Sequence, residues 1–198
     1  MRFTDGYNSS LASITPPKHL SPHRSIYHPT EFVKKIQRLL SYCRSPYRIV
    51  DNEVLCPIGS DDDGKAVEKA FTDLKSAGLT GGREHLKKAS TELAAGNFAS
   101  SVRESIHAVE SVVRVLESDG DFSRALAKLE AKTNIHGALK RGFTAIYGFT
   151  SDEQGIRHPL LEKESPTVDE ADALFMIGAC SAFVSYLISK ARSVDLLK

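Results

Sequence analysis

Apolar residues recur along most of this chain at intervals of three and four, the spacing that lays a stripe along one face of an α-helix. The pattern is clearest over residues 98–118, where Phe98, Val102, Ile106, Val109, Val113 and Leu116 fall on one face behind a capping Asn97. The same reading predicts a helix over 31–43, opened by Thr30 and striped by Phe32, Ile36, Leu39 and Leu40. Another runs from Ser60 and the Asp61-Asp62-Asp63 run to about residue 77, with Val67, Ala70, Phe71 and Leu74 inward. Acidic residues there favour a helix start through the dipole. Gly78 and Gly81-Gly82 are expected to end it, before a helix over 83–95 stopped by Gly96. Shorter helices are expected over 122–131 and 135–147. A last one, over about 168–191, is apolar nearly all round and is therefore expected at the centre. Thr167-Val168-Asp169-Glu170 reads as its capping box.

Three stretches break the helical period. Tyr47-Arg48-Ile49-Val50 and Glu53-Val54-Leu55-Cys56 flank Asp51-Asn52 and predict a small β-hairpin. Residues 1–29 are rich in Ser, Pro, His and Thr and predict an extended arm, while 149–166, with Gly155, Pro159 and Pro166, predict a loop. The expected fold is mainly α: an antiparallel helical bundle with a small N-terminal β-hairpin and helices. The expected organisation is an arm over 1–29, a helix-hairpin-helix region over 30–80, and a bundle over 81–198.

Composition narrows the function classes. The net charge of +1 supplies no global basic field to draw in nucleic acid, so any such contact needs a local patch. Three cysteines, with no Cys-x-x-Cys, fit a reduced intracellular setting. The start of the chain lacks the apolar core of a signal peptide. The longest apolar run, 173–188, is 16 residues, short of the roughly 20 that a membrane span needs. A cytoplasmic protein with no membrane partner is expected.

Five groupings carry candidate chemistry. Arg157-His158 either pairs a phosphate-binding cation with a group that titrates near neutrality or is a solvated loop dipeptide, and Pro159 biases His158 away from helix. Arg103, His107, Glu110 and Arg114 share one helix face, either a solvated stripe or the lining of a groove facing Arg157-His158. His19, His23 and His28 have ligand-like spacing, but Pro16, Pro17, Pro22 and Pro29 and the absence of partner cysteines give zinc no fixed geometry, so no metal is expected. Thr80-Gly81-Gly82-Arg83 at a helix start is either a plain interhelical turn or a set of backbone N–H groups open to an anion, without the length or lysine of a P-loop. Lys34, Lys35, Arg38, Arg44 and Arg48, interleaved with Tyr42 and Tyr47, form either an RNA-contact surface or a solvated face.

Over residues 84–190 the order of segments resembles a known superfamily. The anchors are Glu84-His85-Leu86-Lys87-Lys88-Ala89, Asn97-Phe98-Ala99, Arg103-Glu104-Ser105-Ile106-His107-Ala108-Val109-Glu110-Ser111, Ile135-His136-Gly137-Ala138-Leu139-Lys140, Tyr147-Gly148-Phe149-Thr150-Ser151-Asp152-Glu153 and Gly155-Ile156-Arg157-His158. Together they resemble the HEPN superfamily, and within it the N-terminal domains of AbiJ-type abortive-infection proteins. The resemblance implies an all-α bundle, usually dimeric, in prokaryotic defence or toxin–antitoxin systems. It also implies a metal-independent endoribonuclease with no cofactor. RNA brings its own 2′-hydroxyl nucleophile, so a histidine to move protons and an arginine to stabilise phosphate charge suffice.

The usual signature of that superfamily is an arginine, a polar residue, then a histidine after four to six intervening positions. Counted from Arg157, those positions are Glu162, Lys163 and Glu164. Two readings stay open. In one, Arg157 and His158 form an atypical catalytic site supported by Arg103, His107 and Glu110, acting on an RNA substrate. In the other, the bundle is a non-catalytic module that dimerises or binds RNA, a cognate antitoxin or a defence-system subunit.

Overall fold

The computed structural model describes residues 29–118, 120–152 and 167–197, and the account below concerns these. Seven helices and one two-stranded antiparallel sheet follow in the order α1 (Pro29–Tyr42), β1 (Tyr47–Val50), β2 (Val54–Pro57), α2 (Asp61–Ser76), α3 (Thr80–Ala94), α4 (Phe98–Leu116), α5 (Phe122–Thr133), α6 (Gly137–Asp152) and α7 (Glu170–Arg192). The chain is a mainly α bundle with an N-terminal hairpin, as its periodicity predicts.

α7 lies at the centre. Its buried residues, among them Ala173, Met176, Ile177, Cys180, Phe183, Val184, Leu187 and Ile188, point to several neighbours at once, and α4 and α2 pack along it. By length and composition this 23-residue helix could also cross a membrane, but here it forms the inside of the bundle. Phe183 is fully buried against Phe143 of α6, and a side chain of that size contributes about 2–3 kcal/mol through burial. Val50, Cys56, Val67, Phe71 and Leu74 join the same core, so the hairpin and α2 are packed into the bundle.

The hairpin turns at Asp51 and Asn52, both with positive φ (55° and 61°), the conformation a tight strand-reversing turn requires. Glu53 belongs to this turn and not to the strand: its N–H closes onto Val50 O at 3.1 Å, and pairing resumes at Val50↔Val54. The turn is anchored to α3 by Arg83, whose Nη2 lies 2.7 Å from the Asp51 carboxylate, and by a Lys87–Glu53 ion pair.

Other boundaries differ for identifiable reasons. Gly81 and Gly82 do not terminate a helix; they lie in the first turn of α3. A Cβ on Gly82 would come within 2.9 Å of Leu74 and 3.1 Å of Val112, and one on Gly81 within 2.6 Å of Ser111 Oγ. The two glycines let α3 approach α2 and α4 closely. The turn before them uses Gly78 alone, at φ +68°. α7 starts at Glu170 with Asp169 as its cap, two residues beyond the expected Thr167: the box is formed by Asp169 and Asp172, whose side chains accept each other's backbone N–H at 3.0 and 3.2 Å. α6 runs on to Asp152, past the expected end at 147, with Thr150 buried and its hydroxyl donating to Tyr147 O at 2.7 Å. Asn97 precedes α4 without a side-chain cap; its amide donates to Glu92 instead, at 2.9 Å.

Candidate functional site

A cluster of histidine, lysine and carboxylate side chains lies where α3 runs along α4. On α4, Ser101, Val102, Glu104, Ser105, Ile106, Ala108 and Val109 are all buried, a wider inward face than one apolar stripe requires. The breadth arises because α3 lies over one side of α4 and α7 over another. Small residues allow the close approach: Ser101 Oγ donates across to Ala89 O of α3 at 2.9 Å.

Glu104 is brought inside by that approach and is 4% exposed. Its carboxylate is held from α3 by two donors one helical turn apart. Lys88 Nζ donates to Oε1 at 2.7 Å, and His85 Nδ1 lies 2.8 Å from Oε2. Burial alone would push the Glu104 pKa up. The hydrogen bonds and positive charge of Lys88 and His85 outweigh it and hold the pKa below its ordinary value of 4.5. Glu104 is thus a carboxylate at neutral pH, and His85 Nδ1 is the donor in the pair.

His107 follows three residues after Glu104 on the same helix. Its ring meets that of His85 edge-on, with centroids 5.3 Å apart, and its Nε2 is 3.8 Å from Glu110 Oε2. One ligand atom from each of His85, Glu104 and His107 lies within 4.8 Å of the others. A shallow cleft of about 420 Å³, lined by Glu84, His85, Lys87, Lys88, Thr91 and Glu104, opens onto the group.

The residues expected from the sequence divide accordingly. Arg103, His107 and Glu110 are half-buried along α4, and Arg114 is exposed beyond them. Arg103 Nη2 donates to Ser100 Oγ at 3.1 Å. The stripe is therefore not a wholly solvated face. Arg157 and His158 lie outside the described residues, as do His19, His23 and His28. The sequence reading missed His85, Lys88 and Glu104. Their one visible sign was His85 and Lys88 three apart on a helix, beside an acidic residue three before a histidine on the next.

The basic cluster near the hairpin is divided. Arg48 is buried and donates to Ser45 O at 2.9 Å, to Tyr47 O at 2.7 Å and to Asp61, so it is part of the scaffold. Lys34 and Arg38 line a larger groove of about 850 Å³ between α1, the hairpin turn and α2. Gln37 spans that groove, bonding Glu68 and accepting from Ile49 N at 2.8 Å, and no histidine is among its lining residues. At the start of α3, Ser111 faces Gly81 closely and Arg83 is committed to Asp51, so the anion-site alternative there has its side chain engaged elsewhere.

No family model, curated protein or solved structure matches this chain.

Proposed function

We propose that the protein is a HEPN-like RNA-cleaving protein of a prokaryotic defence or toxin–antitoxin system, cytoplasmic and dimeric. It acts as a metal-independent endoribonuclease. The observation that carries the reading is the half-buried His107–Glu110 pair, whose histidine packs edge-on against His85 at the rim of an open cleft lined by His85, Lys88 and Glu104. Cleavage needs one group to take the 2′-hydroxyl proton and another to protonate the leaving 5′-oxygen. His107, with Glu110 to orient it, supplies one; His158, by its place in the resemblance, supplies the other. The 2′-oxygen attacks phosphorus, the bond to the 5′-oxygen breaks, and the products are a 2′,3′-cyclic phosphate and a 5′-hydroxyl. Arg157 and Arg103 offset the charge that builds on the phosphate oxygens.

The test is cleavage of mixed RNA in excess chelator by the wild type and by His107→Ala, Arg157→Ala and His158→Ala. Cyclic-phosphate ends and a drop of about 100-fold or more in each variant are expected. Unchanged cleavage in all three variants refutes these assignments. One observation favours a second reading: Glu104 is already satisfied by Lys88 and His85, an arrangement that also suits a structural brace in a non-catalytic module. A folded wild type that cuts no RNA yet binds a second copy or a cognate partner selects that reading.

A further inference from the structure

We propose that His85, Glu104 and His107 form a binding site for a divalent transition-metal ion of the Zn²⁺ class. Two imidazoles and one carboxylate are a recurrent zinc ligand set, in which the fourth position is left to water or another oxygen donor. The chain presents this set from two helices. Glu104-Ser105-Ile106-His107 places carboxylate and imidazole one turn apart on α4, and α3 supplies His85 across the interface. A carboxylate followed by a histidine three residues on is how helical bundles build inward-facing metal sites.

The geometry needs only side-chain adjustment. Metal–ligand bonds of about 2.1 Å in a tetrahedral site put neighbouring donor atoms about 3.4 Å apart. The three donor atoms here lie within 4.8 Å of one another, with His85 Nδ1 and Glu104 Oε2 already at 2.8 Å. Rotation of the half-exposed His85 and His107 rings closes the remaining gap. An ion between them binds a deprotonated His85 Nδ1, so the proton now shared with Glu104 Oε2 moves to the other ring nitrogen or is released to water. Lys88 bonds the far oxygen, Oε1, and leaves Oε2 facing the histidines. It then acts as the outer partner that fixes the carboxylate's orientation. The backbone beneath is held by the close packing of α3 on α4, so the site is set before an ion arrives.

This inference goes beyond RNA cleavage, and the site stands whether or not the protein cuts RNA. Where the two meet, they compete: an ion on His107 places a positive charge on the ring and makes it a poorer proton acceptor.

The full chain, freed of metal by chelator, is titrated with Zn²⁺ by calorimetry and with Co²⁺ by visible absorption. One ion per chain and a tetrahedral Co²⁺ spectrum are expected. Affinity falls about tenfold or more in His85→Ala and in His107→Ala. Glu104→Gln, which keeps the shape of the buried side chain, weakens binding likewise, with circular dichroism showing each variant folded. The His19→Ala/His23→Ala/His28→Ala triple variant binds as the wild type does. Absent binding, binding indifferent to His85 and His107, or binding lost with the other three histidines overturns the proposal. Cleavage is read separately: Zn²⁺ suppresses it and chelator restores it. Cleavage that requires Zn²⁺ would refute the metal-independent reaction and leave the site standing.

Discussion

Two buried charges, Arg48 in β1 and Glu104 in α4, are almost equally hidden, at 5% and 4% exposure, yet their surroundings differ in kind. Arg48 spends its guanidinium on backbone carbonyls of Ser45 and Tyr47 and on Asp61 in the first turn of α2. Two of those partners are main-chain carbonyls and the third is an exposed carboxylate, and together they lock the hairpin to α2. Glu104 is held by His85 and Lys88, side chains that are 40% and 58% exposed and line an open cleft. Such partners can move aside for a ligand. A buried charge tied mainly to the backbone marks scaffold; one tied only to exposed side chains marks a place where chemistry can occur.

The largest effect expected from this contrast is on stability at the scaffold end. Arg48→Met leaves two carbonyls without their donor and costs about 3 kcal/mol in denaturant unfolding. RNA cleavage per folded molecule stays as in the wild type. A cost below about 1 kcal/mol would place Arg48 with Glu104 and dissolve the distinction.

Next comes the interface that carries the site. Gly82→Ala forces a methyl against Leu74 and Val112 and should cost about 2 kcal/mol. Gly142→Ala, in α6 with open space around the added atom, should instead stabilise by about 0.5–1 kcal/mol. Thermal unfolding of the pair reads the opposite signs. Like signs would mean that α3 does not approach α4 as closely as described.

At the site itself, stability should change little. His107→Ala is expected to cost about 1 kcal/mol or less, because Glu104 keeps both of its partners from α3. A larger loss would make His107 part of the brace.

How much of this was legible in the sequence follows from what each feature depends on. Helix positions depend on local periodicity, so the stripe of Phe98, Val102, Ile106, Val109 and Val113 located α4, and Asp51-Asn52 located the hairpin turn. Arg103, His107 and Glu110 were found for the same reason, since spacing along one helix is a local property. His85 and Glu104 were not, because their meeting depends on how α3 lies over α4, and helix pairing leaves no period to read. Gly81-Gly82 misled in a related way: glycine means a turn when conformation is the constraint and close packing when a neighbouring helix is. The box opening α7 was misplaced because Thr167/Glu170 and Asp169/Asp172 carry the same spacing, and only the backbone selects between them.

The smallest expected effect concerns the thiols and checks the core as a whole. Burial pushes Cys56 up to about 11 and Cys180 up to about 12, so at pH 8 both remain protonated and inaccessible, whereas Cys43 is exposed. Alkylation of the native protein at that pH should stop at one thiol per chain, mapped to Cys43, and reach all three after unfolding. Native labelling of Cys180 would contradict the central position of α7.

The claim that the α3–α4 cluster is a working site is tested most directly by single-turnover cleavage of labelled RNA in excess chelator. Wild type and His107→Ala, both shown to be folded, are compared for rate and for product ends. The account predicts cyclic-phosphate products from the wild type and a rate about 100-fold lower in the variant. Equal rates in the two proteins would contradict it.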